Sequence, residues 1–251
     1  MTLRAPGKTP NRDFIRNLEL APPRHPYRSK LEQPKEDQKS GHVDAGSGIS
    51  FVADVTGQAR SDVLNSTLLA QLAANKKYDR EKDPRAWYTF YREVLDNVGW
   101  DASAWSFNEY QSKSSSFKAD TVIFEVLISL LAEDPKLAAD ATVKALKALS
   151  KDDDRATLWE SESHRAREGN FQIAAVTQVN QAVSMTIGGF FFSVEKEVDR
   201  VLWFEFQRGQ VDFWKGTQTA TLNEDVYSTV RKDVLDKLGD KATKFVRDLE
   251  I

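Results

Sequence analysis

The segment from Phe171 to Val194 contains no Asp, Glu, Lys, Arg or His, although 29% of the chain is charged. Within it, apolar residues alternate with small or polar ones, as in Phe171, Ile173, Ala175, Thr177 and Val179, and a period of two predicts strands rather than helix. The polar members, among them Gln172, Gln178, Ser184, Thr186 and Ser193, form hydrogen bonds without carrying charge. Two environments admit such strands. One is a central hairpin covered by helices on both faces. The other is a bilayer, where strands face lipid on one side and water on the other. At about 3.3 Å per residue, the stretch from Val183 to Val194 reaches roughly 40 Å and ten residues from Phe171 about 33 Å, against a hydrocarbon core near 30 Å. Length permits either environment.

Upstream of this segment the period is helical. Val63, Leu64, Leu68 and Leu72 recur at helical spacing, with Ser61 or Asp62 as N-cap. Asp83 and Pro84 open a second helix, whose Trp87, Phe90, Tyr91, Val94, Leu95 and Val98 make one stripe before Gly99. A strand is expected around Trp105 and Phe107. Asp120 starts a helix that is apolar nearly all round, and Asp134 with Pro135 starts another that packs on it as a hairpin.

Alternation then runs from Ala156 to Lys215. Asn180 with Gln181, the charged run from Glu195 to Asp199, and Arg208 with Gly209 serve as turns of an antiparallel meander. The apolar positions are odd-numbered through Ile187 and even-numbered from Phe190, which predicts a bulge at Gly188 and Gly189. Asn223 caps a final long helix closed by Gly239, and Phe245, Val246 and Leu249 are expected on a short last one. The predicted fold is α+β, a three-layer arrangement with a central antiparallel sheet wrapped by helical hairpins. It comprises one domain over residues 49–251, with helices in 61–149, strands in 156–215 and C-terminal helices in 223–249.

Six of the eight prolines fall in the first 34 residues, and the stretch to residue 48 is rich in Arg, Lys, Gly and Ser. Such a composition predicts an extended or disordered arm over residues 1–48. Of its apolar cluster, Phe14, Ile15, Leu18 and Leu20, the first three offer anchors for a neighbouring subunit; a flexible tail and a removable pro-segment are the other readings. The formal charge of -3 provides no field for nucleic acid, so no nucleic-acid partner is expected. There are no cysteines, which excludes disulfides and thiolate chemistry. Met1 to Leu20 lacks the apolar run of a signal peptide, and no stretch has the length of a membrane-spanning helix. The protein is expected to be soluble, either cytoplasmic or released without a signal peptide.

The signatures HExxH, GxSxG, GxGxxG and the Walker loop are absent. One constellation has ligand character. In an extended chain Glu160, Glu162 and His164 share a face, offering two carboxylates and an imidazole to a divalent cation. The same residues also fit a charged, solvent-facing strand end. No cofactor and no catalytic residue is expected.

Several local patterns are similar to those of the Cyt-type cytolytic delta-endotoxins and their fungal volvatoxin relatives. They are the run Leu64-Asn65-Ser66-Thr67-Leu68-Leu69-Ala70-Gln71-Leu72-Ala73-Ala74-Asn75, the helix pair from Val122 to Leu149, and Trp159-Glu160-Ser161-Glu162. Phe171-Gln172-Ile173, Gly189-Phe190-Phe191-Phe192 and Val201-Leu202-Trp203-Phe204-Glu205-Phe206-Gln207 complete the set. The resemblance implies helices wrapped around a sheet and lysis of a bilayer by long strands once the helices peel away, with no catalysis and with self-association. It also implies bacterial or virulence-type, pore-forming use. The matching long strands are Phe171 to Val179, Val183 to Val194 and Val198 to Gln207. Membrane-insertion candidates within them are Phe171, Ile173, Val179, Val183, Met185, Ile187, Phe190, Phe191, Phe192, Leu202, Trp203 and Phe204, and the expected partner is a lipid bilayer. The charged Glu195 to Arg200 connection, the long C-terminal helix and the proline-rich arm depart from the family pattern. Two other functions fit the residues alone: a self-assembling scaffold joined through the arm, and a metal-dependent hydrolase using Glu160, Glu162 and His164.

Overall fold

The computed structural model describes residues 10–22, 24, 40–52, 55–130, 135–149, 154–179, 182–241 and 246–249. Its centre is a mostly antiparallel sheet of strands β1 (Ser40–Asp44), β2 (Ser47–Phe51), β7 (Glu168–Val179), β8 (Ala182–Val194), β10 (Val211–Leu222), β3 (Trp100–Ala102) and β11 (Val246–Leu249). The order across the sheet is β11-β1-β2-β7-β8-β10-β3. The short strands β4 (Ser106–Glu109) and β6 (His164–Arg165) add to β10 and β7 respectively. β2 runs parallel to β7, and the other described pairs are antiparallel. Outside this sheet, β5 (Ser116–Lys118) pairs with β9 (Glu205–Gln207).

Helices cover both faces. On one side lie α1 (Arg12–Asn17), α2 (Gly57–Lys77), α3 (Pro84–Val98) and α7 (Glu224–Leu238), packed with Ile49, Phe51, Val176, Met185 and Ile187 of the sheet. On the other lie α4 (Ala119–Leu130), α5 (Pro135–Leu149) and α6 (Asp154–Ser163), with the β5–β9 pair, packed against Phe171, Ile173, Phe190, Phe192 and Phe213. This is the predicted three-layer α+β architecture. A sheet buried on both faces does not alternate apolar with charged residues, so the uncharged run fits its covered position.

The bulge expected at Gly188 and Gly189 does not form, because β8 pairs without interruption from Ala182 to Ser193 with β7. Odd residues of β8 face the α2–α3 layer throughout, and even residues face the α4–α6 layer. The apolar parity changes because the second layer leaves Ser184 and Thr186 half-buried while it covers Phe190 and Phe192.

Other boundaries also differ from the pattern. Residues 40–48, within the expected arm, form most of the β1–β2 hairpin, whose main chain is paired to β11 on one side and β7 on the other. Ladder hydrogen bonds there supply what a Gly- and Ser-rich sequence lacks in apolar surface. Residues 154–163 are helical rather than extended; Ala156, Leu158, Trp159, Glu160, Glu162 and Ser163 are all buried, so this helix is covered on more than one side. Val198 to Gln207 is not a long strand. Phe204 N–H donates to the Arg200 carbonyl at 2.9 Å, a turn that buries Val201 and Leu202 together and leaves β9 as a short remainder. β10 extends to Leu222, because its Thr- and Ala-rich end pairs with β8. Residues 246–249 are a strand and not a helix, drawn to the edge of β1. α2 begins at Gly57 with Thr56 as N-cap, so Ser61 and Asp62 lie inside the helix. The expected turn at Asn180 and Gln181, the cap at Asp134, and Phe245 lie outside the described residues.

Candidate functional site

β7 and β8 form the centre of the molecule, and their register pairs Glu168 with Ser193 at the base and Val179 with Ala182 at the tip. Near the tip the hairpin is amphipathic without charge. Pairs Ala174–Ile187, Val176–Met185 and Gln178–Val183 face the α2–α3 layer, whereas Ala175–Thr186 and Thr177–Ser184 face the other side. Of the proposed insertion residues, Phe171, Ile173, Val183, Met185, Ile187, Phe190, Phe191 and Phe192 are buried beneath helices or neighbouring strands. Val179, at the tip, is 66% exposed. Leu202 is buried in the turn after β8, and Trp203 and Phe204 are half-buried beside it.

The base is filled with aromatic rings. Phe171 stacks on Phe190 with centroids 5.1 Å apart, and Phe192 lies parallel to Phe213 at 6.1 Å. Gly169, paired directly with Phe192, lets that ring lie across the strand, since a Cβ there would be 2.3 Å from its Cε1. Tyr88 of α3 donates its hydroxyl to the Phe171 carbonyl at 3.0 Å, and its burial pushes that phenol well above the ordinary range.

Beside this base lies a buried charged cluster. Arg80, in the α2–α3 turn, donates from Nη2 to the Asn170 carbonyl at 2.6 Å, and Asn170 Nδ2 donates back to the Arg80 carbonyl at 2.8 Å. Burial, with Arg24 nearby, lowers Arg80 to about 10. Arg24 Nη1 is 2.7 Å from Glu81 Oε1, and the Arg24 N–H donates to Glu162 Oε1 at 3.1 Å. Gly46 of the β1–β2 turn backs onto this group: a Cβ there would meet both terminal nitrogens of Arg80 at 2.7 Å.

Glu160, Glu162 and His164 do not converge on a cation. On a helix, residues two apart point to different sides, so Glu162 turns to Arg24 while Glu160 accepts the Val201 N–H at 3.0 Å. His164 Nδ1 lies 3.0 Å from the Glu160 carbonyl and Nε2 lies 2.8 Å from the Val198 carbonyl. Among the described residues no group of three or more His, Asp or Glu side chains is arranged to hold a metal ion. Burial raises Glu160 to about 7 and lowers His164, although the contacts to Val198 and Glu160 oppose the latter. These two residues, with Arg24, Thr157, Ser161 and Arg165, line an open pocket of about 400 Å³. Together Glu160 and His164 fasten the turn after β8 to α6.

Asp44 was not singled out by sequence. It is fully buried at the end of β1, where it accepts from the Thr67 hydroxyl at 2.5 Å, and burial raises it to about 8 despite that bond. Its partner Thr67 and nearby Gln71 are among several polar residues that α2 buries, with Arg60, Asp62 and Ser66, so no single signal in the sequence points to Asp44. The arm-anchor residues pack within the chain: Ile15 and Leu18 are buried in the α2–α3–α7 layer, and Phe14 packs against it.

No protein-family model matches the chain, and no curated protein matches it at a significant level. Among solved structures, a delta-endotoxin is similar at 12% identity, over 79% of this chain and 88% of its own, with a TM-score of 0.42. The Evf virulence factor is similar at 13% identity over 86% of each chain, with a TM-score of 0.36. The likeness to this toxin and this virulence factor is weak and at the level of fold. Among the described residues no helix is long and apolar enough to cross a membrane.

Proposed function

We propose that the protein acts on lipid bilayers without catalysis, by presenting the β7–β8 hairpin after its helical cover lifts. The observation that carries this reading is the hairpin itself. It is continuously paired, it is free of charge from Phe171 to Val194, and near its tip it has one apolar face and one face of small polar residues. An inserting strand needs such a division, with lipid on one face and water on the other. Its exposed Val179 makes the tip the first part to meet a membrane. Each strand, at about 3.3 Å per residue, is long enough for a hydrocarbon core near 30 Å.

Dye release from liposomes tests the proposal, using the wild-type chain and Val179→Asp. The variant changes an exposed residue, so its thermal transition stays within a degree or two of wild type, about 0.5 kcal/mol, while leakage is lost. A folded Val179→Asp chain that leaks as wild type does, or a wild-type chain inert on vesicles of neutral and anionic lipid alike, overturns it.

A further inference from the structure

We infer that Arg24 is an ionic staple that holds the two helical layers closed at the base of the hairpin, making the N-terminal segment an autoinhibitory contact. Its purpose rests on the membrane reading; its geometry does not. The segment belongs first to one layer. Ile15 and Leu18 are buried against it, and the Ala21 N–H donates to the Leu72 carbonyl of α2 at 3.0 Å. Arg24 then reaches across the end of the sheet. Its guanidinium meets Glu81 of the α2–α3 turn at 2.7 Å, and its backbone N–H meets Glu162 of α6 at 3.1 Å, with Nε 3.9 Å from the same carboxylate. Glu81 and Glu162 side chains are 3% and 2% exposed, so neither charge has water to turn to.

The cluster is balanced, with Arg24 and Arg80 against Glu81 and Glu162. Arg80, bonded through Nη2 to Asn170 and lying 5.0 Å over the Trp87 ring, also feels both carboxylates, but its one positive charge balances only one of them. Without Arg24 the two layers would face each other through carboxylates in excess by one, and burial makes such an excess costly. Relief comes by letting α6 swing away from the α2–α3 turn. Because Arg80 and Asn170 join the cluster to β7, that opening begins at the first residues of the hairpin.

Amide hydrogen exchange of the full chain in solution, without lipid, tests the staple with three variants. Arg24→Gln should speed exchange in α6 and the first residues of β7 by roughly tenfold or more, leaving the middle of α7 unchanged. Arg24→Gln combined with Glu162→Gln restores the charge balance and should return protection most of the way to wild type. Arg16→Gln, which breaks the contact of 2.9 Å with Asp233 on the same segment, should leave α6 as it is. Unchanged exchange in α6 and β7 for Arg24→Gln, acceleration spread evenly over the chain, or a double variant no better than the single one overturns the inference. Should Arg24→Gln fail to fold, a folded double variant upholds it and an unfolded one overturns it. Leakage measured in parallel separates the two proposals: local opening with no leakage from any form keeps the staple and removes the membrane function.

Discussion

Arg231 of α7 grips Asp62 of α2 at two points, Nε to Oδ1 at 2.9 Å and Nη2 to Oδ2 at 2.7 Å. Asp62 is 1% exposed, so the carboxylate depends on this fork and on Gln58, which donates from Nε2 to Oδ1 at 3.0 Å. Arg231→Ala therefore strands a buried charge. The expected loss is about 2 kcal/mol, less than for a fully buried pair because the guanidinium is partly in water. A urea midpoint measures it. Arg231→Lys should recover less than half, since an ammonium cannot make the planar two-point contact.

Asp44 predicts a stability that falls as pH rises. Its carboxyl is raised from 3.8 to about 8 in the fold, so the folded chain holds a proton that the unfolded chain has lost. The contribution is complete below the unfolded value, declines between there and about pH 8, and is constant above. The wild-type melting temperature should drop between pH 5 and pH 9, and Asp44→Asn should flatten that slope. An equal slope in both chains removes Asp44 as its source.

Gly169 is under the ring of Phe192, with no room for a methyl group. Gly169→Ala should cost about 1–3 kcal/mol by displacing the ring from its stack on Phe213. Combining it with Phe192→Leu should cost less than the sum of the two single changes. Chemical denaturation of the four chains gives that coupling.

Phe192→Asp places a charge at a site 3% exposed, among Phe206 and Phe213. It should fail to fold, losing more than about 4 kcal/mol. Sedimentation and circular dichroism would show this before any vesicle is added. Loss of membrane activity in that variant would therefore carry no information, which is why the exposed Val179 is the residue to change.

Much of the layout was legible in local pattern. The stripe from Trp87 to Val98 marked α3, Asn223 marked the start of α7, and the alternation from Phe171 marked β7. Local pattern failed where partners elsewhere decided the outcome. Val246 to Leu249 joined the open edge of β1, and residues 40–48 were ordered by pairing with β7 and β11. Residues 156–163 are the exception. There the residues fit both periods, since buried Ala156, Leu158, Glu160 and Glu162 alternate while Ala156, Trp159, Glu160 and Ser163 share helical spacing.

The candidate site divides the same way. From sequence alone came the uncharged hairpin, its length and the absence of familiar catalytic signatures, because these depend on residue types and short spacings. Tertiary structure alone decided that both faces of the hairpin are covered, that Glu160 and Glu162 part company on a helix, and that Arg24 meets Glu81 and Glu162 across 57 and 138 positions of chain. Charges so distant in sequence leave no local period. Only the packing of the layers brings them within reach and takes away the water that would otherwise make their pairing weak.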